Sequence, residues 1–204
     1  MDRHLARIFA IVPAAGRSRR MGSPKQLLDV GGRPMLRAVV EPLAAADVAG
    51  IVVVVHRAIG ASLPLDDVPR VSIACNDDPA SEMIDSIRIG IRHWLDAMPL
   101  SPHDGFLVCP ADQPGISTDD IDRCIAAFRE DPTRIVIATR GGHRGHPIVF
   151  GVPWVEFVMH RECDGGLNAL PRQHADRTIR IECHSHGIVR DVDTPADYDA
   201  RDEA

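Results

Sequence analysis

"IFAIVPAAGRSRRMGSPKQLL", residues 8–28, joins an unbroken apolar run to a loop of small residues, three arginines and a lysine. Five apolar residues in succession, Ile8 to Val12, describe a strand covered on both faces, because a half-exposed strand would alternate. The pattern recurs in "IVVVV" (51–55), "VSIA" (71–74), "FLVC" (106–109) and "IVIA" (135–138). Helical periods lie between these runs: Met83, Ile84, Ile87, Ile91 and Trp94 share one stripe, and Ile121, Cys124, Ile125 and Phe128 another. Asp78 before Pro79, and Ser117 before Asp119 and Asp120, give helix-start signals, and Thr194-Pro195 repeats the first of them. Strands alternating with helices predict an α/β fold: a three-layer, mostly parallel sheet whose functional groups collect at the carboxyl ends of its strands. Three loops in such places carry unusual chemistry, at 13–25, 110–114 and 141–147. Beyond residue 145 the pattern weakens, predicting a helix near 164–173, a strand at 178–183 and a short strand at 188–192.

A length of 204 residues, with no repeat, low-complexity segment or linker, is expected to form one domain over 1–204. A net charge of −6 argues against broad nucleic-acid or membrane-surface binding, which draws on excess Lys and Arg. The five cysteines, Cys75, Cys109, Cys124, Cys163 and Cys183, stand singly, without the C-x-x-C spacing of a zinc or redox site. That usage suits a reducing cytosol. No apolar run is long enough for a secretory or membrane-spanning segment, so a cytoplasmic protein is expected.

In the first loop, Gly16 and Gly22 allow close backbone approach, and Arg17, Arg19, Arg20 and Lys25 can neutralise a polyphosphate. The alternative is a solvated basic loop, which a position directly after a buried strand disfavours. Neither the P-loop nor the dinucleotide fingerprint is present, since Gly16 is followed by Arg17-Ser18 and no G-x-G-x-x-G occurs. The stretch instead resembles the A-A-G-x-S-x-R-M-G-x-x-K-x-L-L signature of nucleotidyltransferases of the molybdopterin-cofactor type. Ala14, Ala15, Gly16, Ser18, Arg20, Met21, Gly22, Lys25, Leu27 and Leu28 stand at the matching places. Pro13, where that family usually has Leu or Thr, is similar to the methylerythritol-phosphate cytidylyltransferases. The resemblance implies a Rossmann-like fold of the nucleotide-diphospho-sugar transferase type. It further implies a loop wrapped around a nucleoside triphosphate, with Arg20 and Lys25 on the phosphates.

"FLVCPADQPGIS" resembles the family's D-x-P metal loop, which implies that Asp112 holds Mg²⁺; read alone, an Asp in that place is more often a cap or turn residue. "RDVDTPADY" resembles the closing D-x-D-T-P-x-D motif, implying a second carboxylate on the metal. Asp191 is favoured over Asp193, because Thr194-Pro195 already marks a helix start, and capping is the alternative role for these and for Asp197. "CNDDPASEMIDSIRIGI" matches a further family segment through Asn76, Met83, Ser86 and Gly90, which puts Asn76 and Ser86 among the nucleotide contacts. Glu82 replaces its usual glycine, and a carboxylate there would repel phosphate unless turned away. "GGHRGHPIVF" resembles an acceptor loop through Gly145, His146 and Pro147, where His146 either hydrogen-bonds the acceptor or orders the loop. "CDGGLNAL" matches a D-x-G segment through Asp164 and Gly166.

The resemblance implies Mg²⁺-dependent transfer of a nucleotidyl group, with catalytic roles for Arg20, Lys25 and Asp112. CTP is the favoured donor, because the guanylyl branch has a second glycine where Ala15 stands, and molybdopterin is the favoured acceptor. A molybdoenzyme or its maturation factor is a further implied partner. Two alternatives stay open: a nucleotidyltransferase acting on a sugar or polyol phosphate, and a non-catalytic carrier of the molybdenum cofactor, for which Glu82 speaks.

Overall fold

The computed structural model describes residues 5–16, 25–60 and 63–192. The chain runs β1 (Ile8–Pro13), α1 (Met35–Ala45), β2 (Gly50–Val55), α2 (Arg57–Gly60), β3 (Val71–Cys75), α3 (Met83–Ala97) and β4 (Gly105–Val108). It continues through α4 (Thr118–Glu130), β5 (Ile135–Arg140), β6 (His143–Gly151), α5 (Val155–Met159), α6 (Ala169–Gln173) and β7 (Thr178–Glu182). The strands form one sheet in the order β3-β2-β1-β4-β6-β5-β7. Neighbouring strands run parallel except where β6 meets β4 and β5.

The apolar runs are uninterrupted because both faces of the central strands are covered. In β1 and β2, Ile8, Ala10, Val12, Ile51, Val53 and Val55 face α1 and α4, while Phe9, Ile11, Val52 and Val54 face α3. α5 and α6 join α3 on the second face through Val158 and Leu170, completing three layers. Gly90 lets α3 lie close on β1, since a Cβ there would come 2.5 Å from Ile11 Cγ2. Burying these runs supplies the main drive for folding, at roughly 25 cal/mol per Å² of apolar surface.

Four expectations are corrected. α3 starts at Met83, not behind Asp78, because the Asp78 carboxylate accepts from Ala80 N (2.8 Å) and closes a local turn. A capping box between Glu82 and Asp85 then opens the helix, in which Glu82 N donates to Asp85 Oδ2 at 2.9 Å. The segment at 188–192 is no strand: a short 3₁₀ turn, His186–Ile188, leads into a stretch attached to the loop after β4 rather than to a sheet edge. Gly145, His146 and Pro147 lie in strand β6 and not in a loop; Gly141 and Gly142, both at positive φ, make the tight turn from β5. The helix expected near 164–173 is confined to α6, which a 3₁₀ turn at Arg161–Cys163 precedes.

Candidate active site

The chain steps from β1 outward to β2 and β3, then returns to place β4 on the other side of β1. The crevice at the carboxyl ends of β1 and β4 is therefore a topological switch point, where open α/β sheets bind ligands. Both loops with the strongest chemical signal leave from it. Ala14 N donates to Val54 O (2.8 Å) and Ala111 N to Pro13 O (3.2 Å), so each loop starts locked to the neighbouring strand end.

A cleft of about 670 Å³ opens there, lined by residues 13–16, Lys25, Gln26, 78–83, Ser86, Ala111 and Asp112. A volume of that order accommodates a nucleotide. Lys25 Nζ reaches across the crevice to Asp112 Oδ2 at 2.7 Å, with both side chains largely buried, and comes within 3.5 Å of Val192 O. Gln26, 2% exposed, donates to Ala14 O (2.5 Å) and to Gly16 O (3.2 Å), fastening the first loop back on its own start.

The second carboxylate arrives from the chain's far end. Val192 N donates to Asp112 O at 2.9 Å, and the Gln113 side-chain amide donates to Asp191 Oδ1. Asp191 thereby stands beside the Asp112 loop. Upstream, the buried Asp120 on α4 accepts from His184 N (3.0 Å) and Ser185 N (2.8 Å) and anchors the same segment. Burial pushes the Asp120 carboxyl up, but hydrogen bonds from the Ser185 hydroxyl and from these backbone groups outweigh it and hold the group below its usual value. Among the described residues no cluster of three or more His, Cys, Asp or Glu forms a closed metal cage. Asp112 in the cleft and Asp191 beside its loop are instead the kind of oxygen donors that suit a hard cation keeping part of its water shell.

At the opposite rim, Asn76 Nδ2 donates to Ser86 Oγ at 2.9 Å, and Asn76 Oδ1 accepts from Asp78 N at 3.4 Å. Ser86 lines the cleft, whereas the buried Asn76 braces the 78–83 rim from behind. Glu82 stands at the capping box that opens α3, with its own N–H on Asp85 Oδ2 at 2.9 Å, and it also lines this rim of the cleft.

β6 runs against the other strands, which brings its amino end to the edge where they have their carboxyl ends. Continuing the pairing of Val108 with Ile148 sets His146 level with Pro110. The His146 Nδ1 is buried without a hydrogen-bond partner, and burial pushes the imidazole down to about 4 against the pull of Asp112. His146 is neutral at pH 7. Gly145 is pressed against the returning chain, where a Cβ would fall 1.6 Å from Ile188 O. Cys109, ahead of the Asp112 loop, is driven up to about 12 by burial and then by the Asp112 charge, so it is a protonated core residue rather than a nucleophile.

Of the sequence-derived candidates, Ala14, Ala15, Gly16, Lys25, Ser86 and Asp112 share the cleft and Asp191 adjoins it. Gly145, His146 and Pro147 sit at the same sheet edge, outside that cleft's lining. Ser18, Arg20, Gly22, Asp193 and Asp197 lie outside the described residues. The sequence reading passed over Gln26 and Gln113, neutral amides beside motif residues, and took Asp120 only as a first-turn helix acid.

Residues 10–178 match the family model described as "MobA-like NTP transferase domain". The chain is 39% identical over 211 residues to the 2-C-methyl-D-erythritol 4-phosphate cytidylyltransferase of Nocardia farcinica, covering 95% of this chain and 78% of that one. Of two further relatives with that name, from Pseudomonas fluorescens and Streptomyces coelicolor, it spans 59% and 50% of the length. A probable molybdenum cofactor guanylyltransferase of Rhodopirellula baltica is 27% identical over 93% of this chain and 89% of its own. In fold, the crystal structure of Rv0371c from Mycobacterium tuberculosis superposes with a TM-score of 0.78 at 24% identity, over 98% of this chain and 100% of that one. That protein has also been solved in complex with manganese. Fold, cleft and family model agree: the chain belongs to the MobA-like NTP transferase domain family and is a nucleotidyltransferase.

Proposed function

We propose that the protein transfers a cytidylyl group from CTP to the phosphate of a small phosphorylated polyol or sugar and releases pyrophosphate. The observation that carries this reading is the Lys25–Asp112 contact of 2.7 Å, which sets a cation and a carboxylate side by side beneath a triphosphate-sized cleft. The donor and acceptor are supported by the methylerythritol-phosphate cytidylyltransferases among the relatives. Ala15 in place of a second glycine favours CTP as well.

A phosphate oxygen of the acceptor attacks the α-phosphorus of CTP; a new P–O bond forms as the bond to the β-phosphate breaks, and pyrophosphate departs. A phosphate monoester is already anionic at neutral pH, so no general base is required. Catalysis then rests on position and charge. Lys25 exchanges its ion pair with Asp112 for the incoming phosphates and stabilises charge on the α-phosphate and leaving group. Arg20 stands at the second phosphate-binding position of the loop's sequence pattern. Asp112 and Asp191 offer the hard oxygen ligands that Mg²⁺ or Mn²⁺ accepts, and such an ion neutralises phosphate charge when bound. Neutral His146 suits a hydrogen bond to an acceptor hydroxyl rather than a charge contact with its phosphate.

Molybdopterin as acceptor is the second reading, favoured by the near full-length match to the guanylyltransferase relative. The carrier reading is less favoured, because the family model matched is one of NTP transferases and Glu82, on which it depended, stands in the capping box of α3. The test is pyrophosphate release from each nucleoside triphosphate with Mg²⁺ or Mn²⁺ and three acceptors: a polyol phosphate, a sugar phosphate and molybdopterin. Release with CTP and a polyol or sugar phosphate is expected. Turnover with molybdopterin alone moves the assignment to the second reading, and none with any pair overturns both.

A further inference from the structure

We infer that Gln113 is a positioning residue that holds Asp191 beside Asp112 for a divalent cation, an inference that rests on the metal role proposed above. Gln113 is 4% exposed and follows Asp112 directly. Its Nε2 donates to Asp191 Oδ1, while its Oε1 is buried without a hydrogen-bond partner. A buried carbonyl oxygen left unpaired is destabilising, so an apolar side chain of the same size would make a better core residue. A glutamine kept at that cost is explained by what its other atom holds.

The chemistry of the donor matters. Lys or Arg in this place would orient Asp191 equally well but would neutralise it and compete with a metal. A neutral amide fixes one carboxylate oxygen and leaves the negative charge in place, as hydrogen-bonding partners of metal ligands commonly do. The neighbouring Val192 N to Asp112 O bond of 2.9 Å fixes the backbone of the two segments, and Gln113 adds the orientation of the side chain.

The test is titration of the full chain with Mn²⁺, with free ion followed by electron paramagnetic resonance, for wild type, Gln113→Met, Gln113→Leu, Asp112→Asn and Asp191→Asn. Gln113→Met keeps the volume and removes both polar atoms. It should weaken Mn²⁺ binding about tenfold at unchanged or raised Tm, and raise the Mg²⁺ needed for half-maximal pyrophosphate release by a similar factor. Gln113→Leu should behave alike, and both aspartate variants should lose more. Mn²⁺ affinity within twofold of wild type in both Gln113 variants, while the aspartate variants lose it, overturns the inference alone. Unchanged affinity in the aspartate variants overturns the metal reading and the inference with it. Loss of fold in both Gln113 variants makes Gln113 a core residue and likewise overturns it.

Discussion

The loops after β1 and β4 meet at one cleft, yet they are secured differently. Among the described residues, the backbone of the first is fastened at its ends, by Ala14 N to Val54 O and by the Gln26 amide on the carbonyls of Ala14 and Gly16, and its link to the second loop and to Val192 runs through the Lys25 side chain. The second is braced by a separate stretch of chain: Val192 bonds Asp112, Gln113 bonds Asp191, and Asp120 anchors that stretch through His184 and Ser185. Under the proposed function, the difference follows the chemistry each would supply. Lysine and arginine contact phosphates as long, adaptable cations, whereas a pair of carboxylates serves a metal only when their separation is fixed.

Variants can break this contrast, in descending order of effect. Asp112→Ala removes the proposed metal-holding carboxylate of the braced loop, and pyrophosphate release should fall roughly a thousandfold in kcat with the fold intact by circular dichroism. Lys25→Ala removes the facing cation and should cost about a hundredfold in the same assay. Gly145→Ala drives a Cβ into the Ile188 carbonyl at 1.6 Å, which displaces the bracing stretch. It should lower stability by about 2.5 kcal/mol in urea unfolding.

His146 sets a pH dependence on the braced side. Burial holds its folded pKa near 4, below the ordinary 6.5, so below pH 6.5 the unfolded chain takes up a proton that the folded chain refuses. Stability should therefore be complete above pH 6.5 and fall by about 2 kcal/mol between pH 6.5 and 5, and His146→Phe should abolish that slope in urea midpoints. Asp120, held below its usual value, adds a separate loss only at lower pH, as its carboxyl is protonated. The smallest effect belongs to the opposite rim. Glu82→Ala should cost about 1 kcal/mol through the lost helix cap while pyrophosphate release stays within about twofold; a large rise in activity would show that the carboxylate repels phosphate.

What the sequence made legible follows the same division. Four parallel strands, β1, β2, β4 and β5, announced themselves because burial on both faces leaves no polar position, whereas the run at 71–74 is the edge strand β3, only partly covered, with Ile73 41% exposed. Asp112 stood out as a charge just after such a buried strand, and Lys25 through its place in the loop pattern that follows β1. β6 was hidden because "HRGHPIVFG" opens with glycine, histidines and a proline, although the Gly141-Gly142 pair ahead of it is a hairpin signal. Residues 188–192 carry a strand-like pattern, but their partner is a loop, which no local period encodes. Gln26 and Gln113 were missed for a similar reason: a neutral amide has neither charge nor period to mark it, and its role appears only once the fold brings Ala14 and Asp191 alongside. Asp120 has the correct position for a helix acid and the correct position for an anchor, and only the tertiary structure separates the two.

Under the proposed function, Lys25 and Asp112 act as one unit on the triphosphate. The most direct measurement of this is the rate of metal-dependent pyrophosphate release from CTP, with the best acceptor of the panel, for wild type, each alanine variant and the double variant. Groups that act together are non-additive, so the double variant should be little slower than Asp112→Ala alone. Losses that multiply in the double variant, or either single variant within fivefold of wild type, would contradict the account.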